Sequence, residues 1–73
     1  MAKSIVYTIH ALERMSVRKV SKEMVQKAIS EPEQIRTGYK GRSLAYKSYG
    51  DERIKVVYTE MTERFIVISV MWD

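Results

Sequence analysis

Two lysines interrupt otherwise apolar, strand-like runs: Lys47 between Ser43 and Tyr49, and Lys55 between Arg53 and Thr59. A lysine inside a strand of so small a protein either lies on a solvated sheet face or marks a place for an anion. If the segment Gly50-Asp51-Glu52 is a three-residue turn, Lys47 stands opposite Lys55 and Tyr49 opposite Arg53. Like charges on neighbouring strands repel by some tenths of a kcal/mol, and a phosphate between them reverses the sign of that term. Lys40 and Arg42 on the preceding connector extend the patch along a nucleic-acid backbone. Tyr39, Tyr46 and Tyr49 are interleaved with these cations, and aromatic rings beside cations are what single-stranded RNA recognition uses. The plainer reading is a wet antiparallel face whose lysines guard against edge pairing.

A second pair is His10 with Arg14, four residues apart and so on one side of a helix. The single histidine is the side chain most suited to acid–base work near neutral pH, and Arg14 beside it would hold a phosphate. The plainer reading is surface polarity near a helix start. Other chemistries find little material. One His, no Cys and no cluster of Asp or Glu leave no convergent metal ligands, so no metal and no cofactor is expected. Gly38 and Gly41 are isolated glycines near a turn, without the spacing of a phosphate loop.

These side chains need elements to hold them. Ser4 to Tyr7 reads as an edge strand. Thr8 is a candidate N-cap for a helix over about residues 9–16, with Ile9, Leu12 and Met15 at helical spacing and Ala11 beside them. Ser21 caps a second helix whose apolar stripe is Met24, Val25, Ala28 and Ile29, and which ends ahead of Pro32. Residues 35–41 read as a connector. Three strands follow over about 43–49, 53–59 and 65–72, joined by short turns that require antiparallel neighbours. The order is β-α-α-β-β-β, an α+β sandwich of two layers with both helices on one face of an antiparallel sheet. The period of two places Ile54, Val56 and Tyr58 on the covered face, with Ile66, Ile68 and Val70, against Leu12, Met15, Val25 and Ile29. Lys55 and Val57, with Val67, Ser69 and Met71, then face outward, where the apolar ones could be covered by a partner or by a second copy in a homodimer.

The chain of 73 residues is read as a single compact domain, 1–73. A domain this short buries only about 60% of the surface its unfolded chain exposes, so a partner is a reasonable expectation. Thirteen Lys and Arg against nine Asp and Glu give a formal charge of +4, which favours anionic partners, or else serves solubility alone. No cysteine is present, which fits a reducing cytoplasm. Met1 to Ser4 are followed by no long apolar run, and no stretch approaches a membrane span, so neither a signal peptide nor a membrane is expected.

The run His10-Ala11-Leu12-Glu13-Arg14-Met15, followed by Arg18, Ser21, Val25 and Pro32, resembles a group of short prokaryotic proteins of unknown function. In that group a His-x-x-x-Arg-Met helix precedes strands reading like Lys55-Val56-Val57-Tyr58-Thr59-Glu60 and Ile66-Val67-Ile68-Ser69-Val70. More distantly, the element order is similar to the RelE/ParE toxin superfamily, including its BrnT-like branch. That resemblance implies a metal-independent endoribonuclease of toxin–antitoxin type, acting on RNA or on the ribosome and silenced by a cognate antitoxin. It implies Lys47 and Lys55 as phosphate and proton-transfer groups, with Arg53 or Arg64 assisting. Tyr49 or His10 would handle protons, and Arg14 would stabilise charge. Two departures from the pattern are visible: Ser69 stands where a basic residue is expected, and no extension bearing a catalytic tyrosine follows Asp73. Other superfamily members act on DNA gyrase instead. The alternative class is a non-catalytic module that binds protein or nucleic acid.

Overall fold

Thr8 and Ser21 begin the helices as their residue types require. In the computed structural model, which describes residues 3–73, the Thr8 hydroxyl accepts the Ala11 N–H at 3.0 Å, and the Ser21 hydroxyl accepts that of Met24 at 3.1 Å. Five strands and two helices follow in the order β1 (Ser4–Tyr7), α1 (Ile9–Arg18), α2 (Lys22–Ser30), β2 (Gln34–Thr37), β3 (Ser43–Tyr49), β4 (Glu52–Glu60) and β5 (Arg64–Trp72). The strands form one sheet in the order β1-β5-β4-β3-β2, with α1 packed on β5 and α2 on β3 and β4.

Two features of that sheet differ from expectation. It is mixed, because β1 runs parallel to β5, with Ile5 opposite Phe65 and Tyr7 opposite Val67. The connector also holds a strand: β2 pairs with β3, Gln34 opposite Tyr46 and Arg36 opposite Leu44. All four β2 residues are exposed, so no alternation of apolar and polar residues announces it.

The core lies between the sheet and the helices. Ala11, Met15, Val25, Ala28 and Ile29 meet Ala45, Ile54, Val56, Tyr58, Val67 and Val70. The expected set on β4 is therefore the covered one. On β5 only Val70 of the expected three is buried, and Val67 takes the place of Ile66 and Ile68. A bulge explains the exchange. Val57 pairs with Ser69, but Tyr58 pairs with Val67, which leaves Ile68 as an extra residue. One extra residue inverts the phase of a strand, so Phe65 and Val67 face the helices on one side of the bulge, and Val70 and Trp72 on the other.

Helix α1 seats itself through Ala11 and Met15 rather than through Ile9 and Leu12. Ala11 is fully buried, whereas Leu12 is 41% and Ile9 78% exposed. The alanine lets the helix approach β5, where the Arg18 guanidinium reaches the Val70 carbonyl (3.4 Å) and the Trp72 indole donates to the Arg18 carbonyl (2.9 Å). Thr8 fastens the other end. Besides capping α1, its hydroxyl donates within reach of the Val67 and Ile68 carbonyls (3.1 and 3.3 Å), beside the bulge, and its own N–H donates to the Val67 carbonyl at 3.1 Å. Thr8→Ala is therefore expected to lower stability by about 1–2 kcal/mol in chemical denaturation, at the upper end for lost caps. Ser21→Ala, which loses only a cap, should cost less.

Candidate nucleic-acid interface

The turn between β3 and β4 decides where the lysines go. It has two residues, Gly50-Asp51, and Tyr49 pairs with Glu52. Gly50 takes φ +68, the left-handed value that a primed hairpin turn needs at its first central position. The expected three-residue turn is thereby shortened by one, and every face on β3 changes relative to β4. Lys47 stands opposite Ile54, and Lys55 opposite Tyr46. The two ammonium groups lie on opposite faces of the sheet.

Lys47 is on the helix side. Its stem runs along the layer edge, and its ammonium donates to the Glu31 carbonyl at 3.1 Å, at the C-terminus of α2. A cation there complements the helix dipole, so a charge on the covered face is tolerated. Tyr49 is also on that side, with its hydroxyl donating to the Met24 carbonyl at 3.2 Å. His10 and Arg14 sit on the exposed side of α1, their nearest side-chain nitrogens 3.5 Å apart. The sheet therefore separates Lys55 from Lys47, Tyr49 and His10, and the expected catalytic set is not brought together.

Burial raises the phenol pKa of Tyr49 above its ordinary 10.0, and does the same for Tyr7 and Tyr58. A group with a raised folded-state pKa contributes stability that is present below its unfolded pKa and lost as pH rises through the folded value. The urea midpoint is expected to hold up to about pH 9 and to fall above about pH 10. Tyr49→Phe should make that fall shallower.

On the open face a different group of cations assembles. Gln34 and Arg36 of β2, Tyr46 and Ser48 of β3, and Arg53 and Lys55 of β4 share this side by register. The Arg53 guanidinium forms an ion pair with Asp73 and lies 4.6 Å from the centre of the Tyr46 ring. Its bond to Asp73 is the main reason that carboxyl titrates below its ordinary value, and the nearby charges of Lys55 and Arg36 add to the effect. Arg53 alone contacts this carboxylate; Lys55 and Arg36 act on it through their charge. Among the described residues neither Arg36 nor Lys55 has an ion-pair partner.

The other expected contacts divide. Lys40 and Arg42 lie in or next to the short 3-10 turn Tyr39–Gly41 that follows β2, the strand carrying Arg36. Lys40 adopts φ 58, with its ammonium 5.6 Å from the Tyr39 ring, which is 82% exposed. Arg64 begins β5 opposite Ser4, seven residues from Met71, the partner of Lys55; that is roughly 23 Å of strand. Arg14 belongs to the helix layer. Of the three tyrosines expected to stack on bases, Tyr46 is 7% exposed beneath Arg53 and Tyr49 is turned inward, so Tyr39 alone is open. Arg36 was not among the expected contacts. Nothing in the run Gln34-Ile35-Arg36-Thr37 between Pro32 and Gly38 sets it on a face in advance.

The rest of the open face is apolar. Val6, Leu44, Val57, Ile66, Ile68 and Met71 are partly or well exposed and stand outside the helix-side core. Among the described residues, no three His, Cys, Asp or Glu side chains gather where they could hold a metal ion, and no helix is long and apolar enough to cross a membrane.

Together the fold and this face define a two-layer α+β domain, helices on one side and an uncovered, partly basic sheet on the other. Residues 7–72 match the family described as a domain of unknown function, DUF4258, and the chain belongs to that family. Among curated proteins and solved structures there is no match.

Proposed function

We propose that the protein is a non-catalytic module that binds single-stranded RNA through the basic end of its open sheet face. One observation carries this reading: Arg36, Arg53 and Lys55 stand on the same open face, and of the three only Arg53 is ion-paired among the described residues, which leaves two cations for phosphate. Lys40 and Arg42 continue the positive surface beyond β2, and exposed Tyr39 offers a ring for a base. The net charge of +4 acts in the same direction.

The nuclease chemistry implied by the RelE/ParE resemblance is a less favoured form of the same proposal. It needs proton-transfer groups beside the phosphate, and Lys47, Tyr49 and His10 are across the sheet from Lys55. Ribosomal RNA or mRNA remains a suitable ligand for a binder. The experiment is anisotropy of a labelled single-stranded RNA across a salt series, alongside a cleavage assay in EDTA with and without ribosomes. Affinity that falls steeply with salt, with intact RNA, supports the module. RNA cleavage that Lys47→Ala abolishes would restore the enzyme.

A second reading has its own observation. On the open face Val6 stands opposite Ile66 and Leu44 opposite Val57, two apolar pairs on four neighbouring strands, and an exposed apolar surface of that kind usually has a partner. An acidic, amphipathic protein segment, the chemistry of a cognate antitoxin, would satisfy both these pairs and the basic end. Its complex would lose less affinity with salt than RNA does.

A further inference from the structure

We propose that two copies of the chain join edge to edge through β2, in a register that sets Ile35 opposite Ile35 of the second copy. The sheet ends at β2, all of whose residues are exposed. The backbone direction of each residue follows from the ladder. A two-residue hairpin makes Tyr49–Glu52 a hydrogen-bonded pair, so the odd residues of β3 bond to β4 and the even ones turn toward β2. The Ser48 N–H meeting the Glu33 carboxylate (3.1 Å) and the Gly38 N–H meeting the Arg42 carbonyl (2.6 Å) agree with that phase. Gln34 and Arg36 therefore spend their backbone groups on β3. Ile35 and Thr37 point theirs away from the sheet, toward any strand that comes alongside.

An identical strand fits this edge. Joining two copies antiparallel, about a two-fold axis normal to the sheet, keeps both helix layers on one side and both open faces on the other. Only residues on the same face can then stand opposite each other. One register places Arg36 against Arg36, which like-charge repulsion disfavours. The neighbouring register places Ile35 against Ile35, with two mutual hydrogen bonds, and Gln34 against Arg36 on the open face. It also covers Ile35, which is 55% exposed on the helix side. The charge on this edge thus acts as a register selector as well as a guard against stray pairing. Where the RNA reading holds, the same join sets two basic ends side by side across the axis, though the dimer itself does not rest on that reading.

The absence of cysteine from the chain allows a direct test. Gln34 and the second copy's Arg36 would form a non-hydrogen-bonded pair about 4.5 Å apart at Cα, within disulfide reach. Mild oxidation of a mixture of Gln34→Cys and Arg36→Cys chains should give a linked heterodimer in high yield, and either variant alone should give little. Light scattering of the unmodified chain should show a dimer that grows with concentration. Ile35→Pro removes only an outward N–H and so should keep its circular dichroism, while weakening self-association about tenfold or more, equivalent to about 1.4 kcal/mol. A monomer at every concentration, cross-linking no better in the mixture than in the single variants, or a dimer indifferent to Ile35→Pro would each overturn the proposal. Loss of RNA affinity with the dimer intact would count against the RNA reading alone.

Discussion

Arg36→Glu/Lys55→Glu is expected to weaken the binding of single-stranded RNA by about 100-fold or more, because each charge-assisted contact contributes about 1.5–3 kcal/mol and both are lost. Both side chains lie on the open face, and neither touches the core. The thermal midpoint should therefore move little. The slope of log affinity against log salt should also flatten by about 1.4, since a single strand releases about 0.7 counterion per neutralised phosphate. Lys47→Ala supplies the contrast. Its ammonium is held at the end of α2, so that variant should bind RNA as the unmodified chain does and lose a little stability instead. Asp73→Asn should tighten binding, by freeing Arg53 and removing a negative charge that the other two cations also feel. Equal affinity in all of these proteins, measured by anisotropy at a single salt concentration, would sink the interface.

Ile54→Ala is expected to take about half of the stability the domain has. Ile54 is the largest of the fully buried side chains, and its loss leaves a cavity where the sheet meets the helices. Substitutions of this kind cost about 2–5 kcal/mol, against a total of about 4–11 kcal/mol for a chain of this length. The melting midpoint should fall by more than about 10 °C. Leu44→Ala is the matching control. It removes a side chain of the same size from the open face, where it is only partly buried and no helix covers it, and should cost clearly less than Ile54→Ala, about 1–2 kcal/mol. If the two variants melted alike, the division of the sheet into covered and open faces would be wrong.

What the residues revealed in advance follows from how local each signal is. Thr8 and Ser21 start helices through bonds made within three residues, and both are where their side chains place them. The covered set Ile54, Val56 and Tyr58 was legible from simple alternation along β4. The faces of β3 and β5 were not, because each depends on a single residue of offset. One fewer residue in the Gly50-Asp51 turn moved Lys47 across the sheet, and one more at Ile68 exchanged Val67 for Ile66. Periodicity cannot detect either change, since the sequence on both sides remains a good strand. α1 shows another limit. Its bulkiest apolar residues advertise a face, but close approach to β5 favours Ala11, and Ile9 and Leu12 are left outward. β2 gave no signal because exposure on both faces erases the alternation on which such readings depend. The candidate site inherited these errors. Lys55, Arg53, Lys40 and Arg42 fall on or beside one surface, while Arg36 entered only with its strand.

The parallel pairing of β1 with β5 has a bearing on how the chain acquires its form. Its earliest strand lies beside its latest, and α1 rests on that same latest strand. While the ribosome is still extending the polypeptide, neither has anything to sit on. Docking of β1 and α1 must wait until Trp72 has been made, since fragments lacking β5 have no floor for that helix, whereas α2 already has β3 and β4. A nascent chain stalled before that point should be open to proteases through β1 and α1, and one extended past it should protect them.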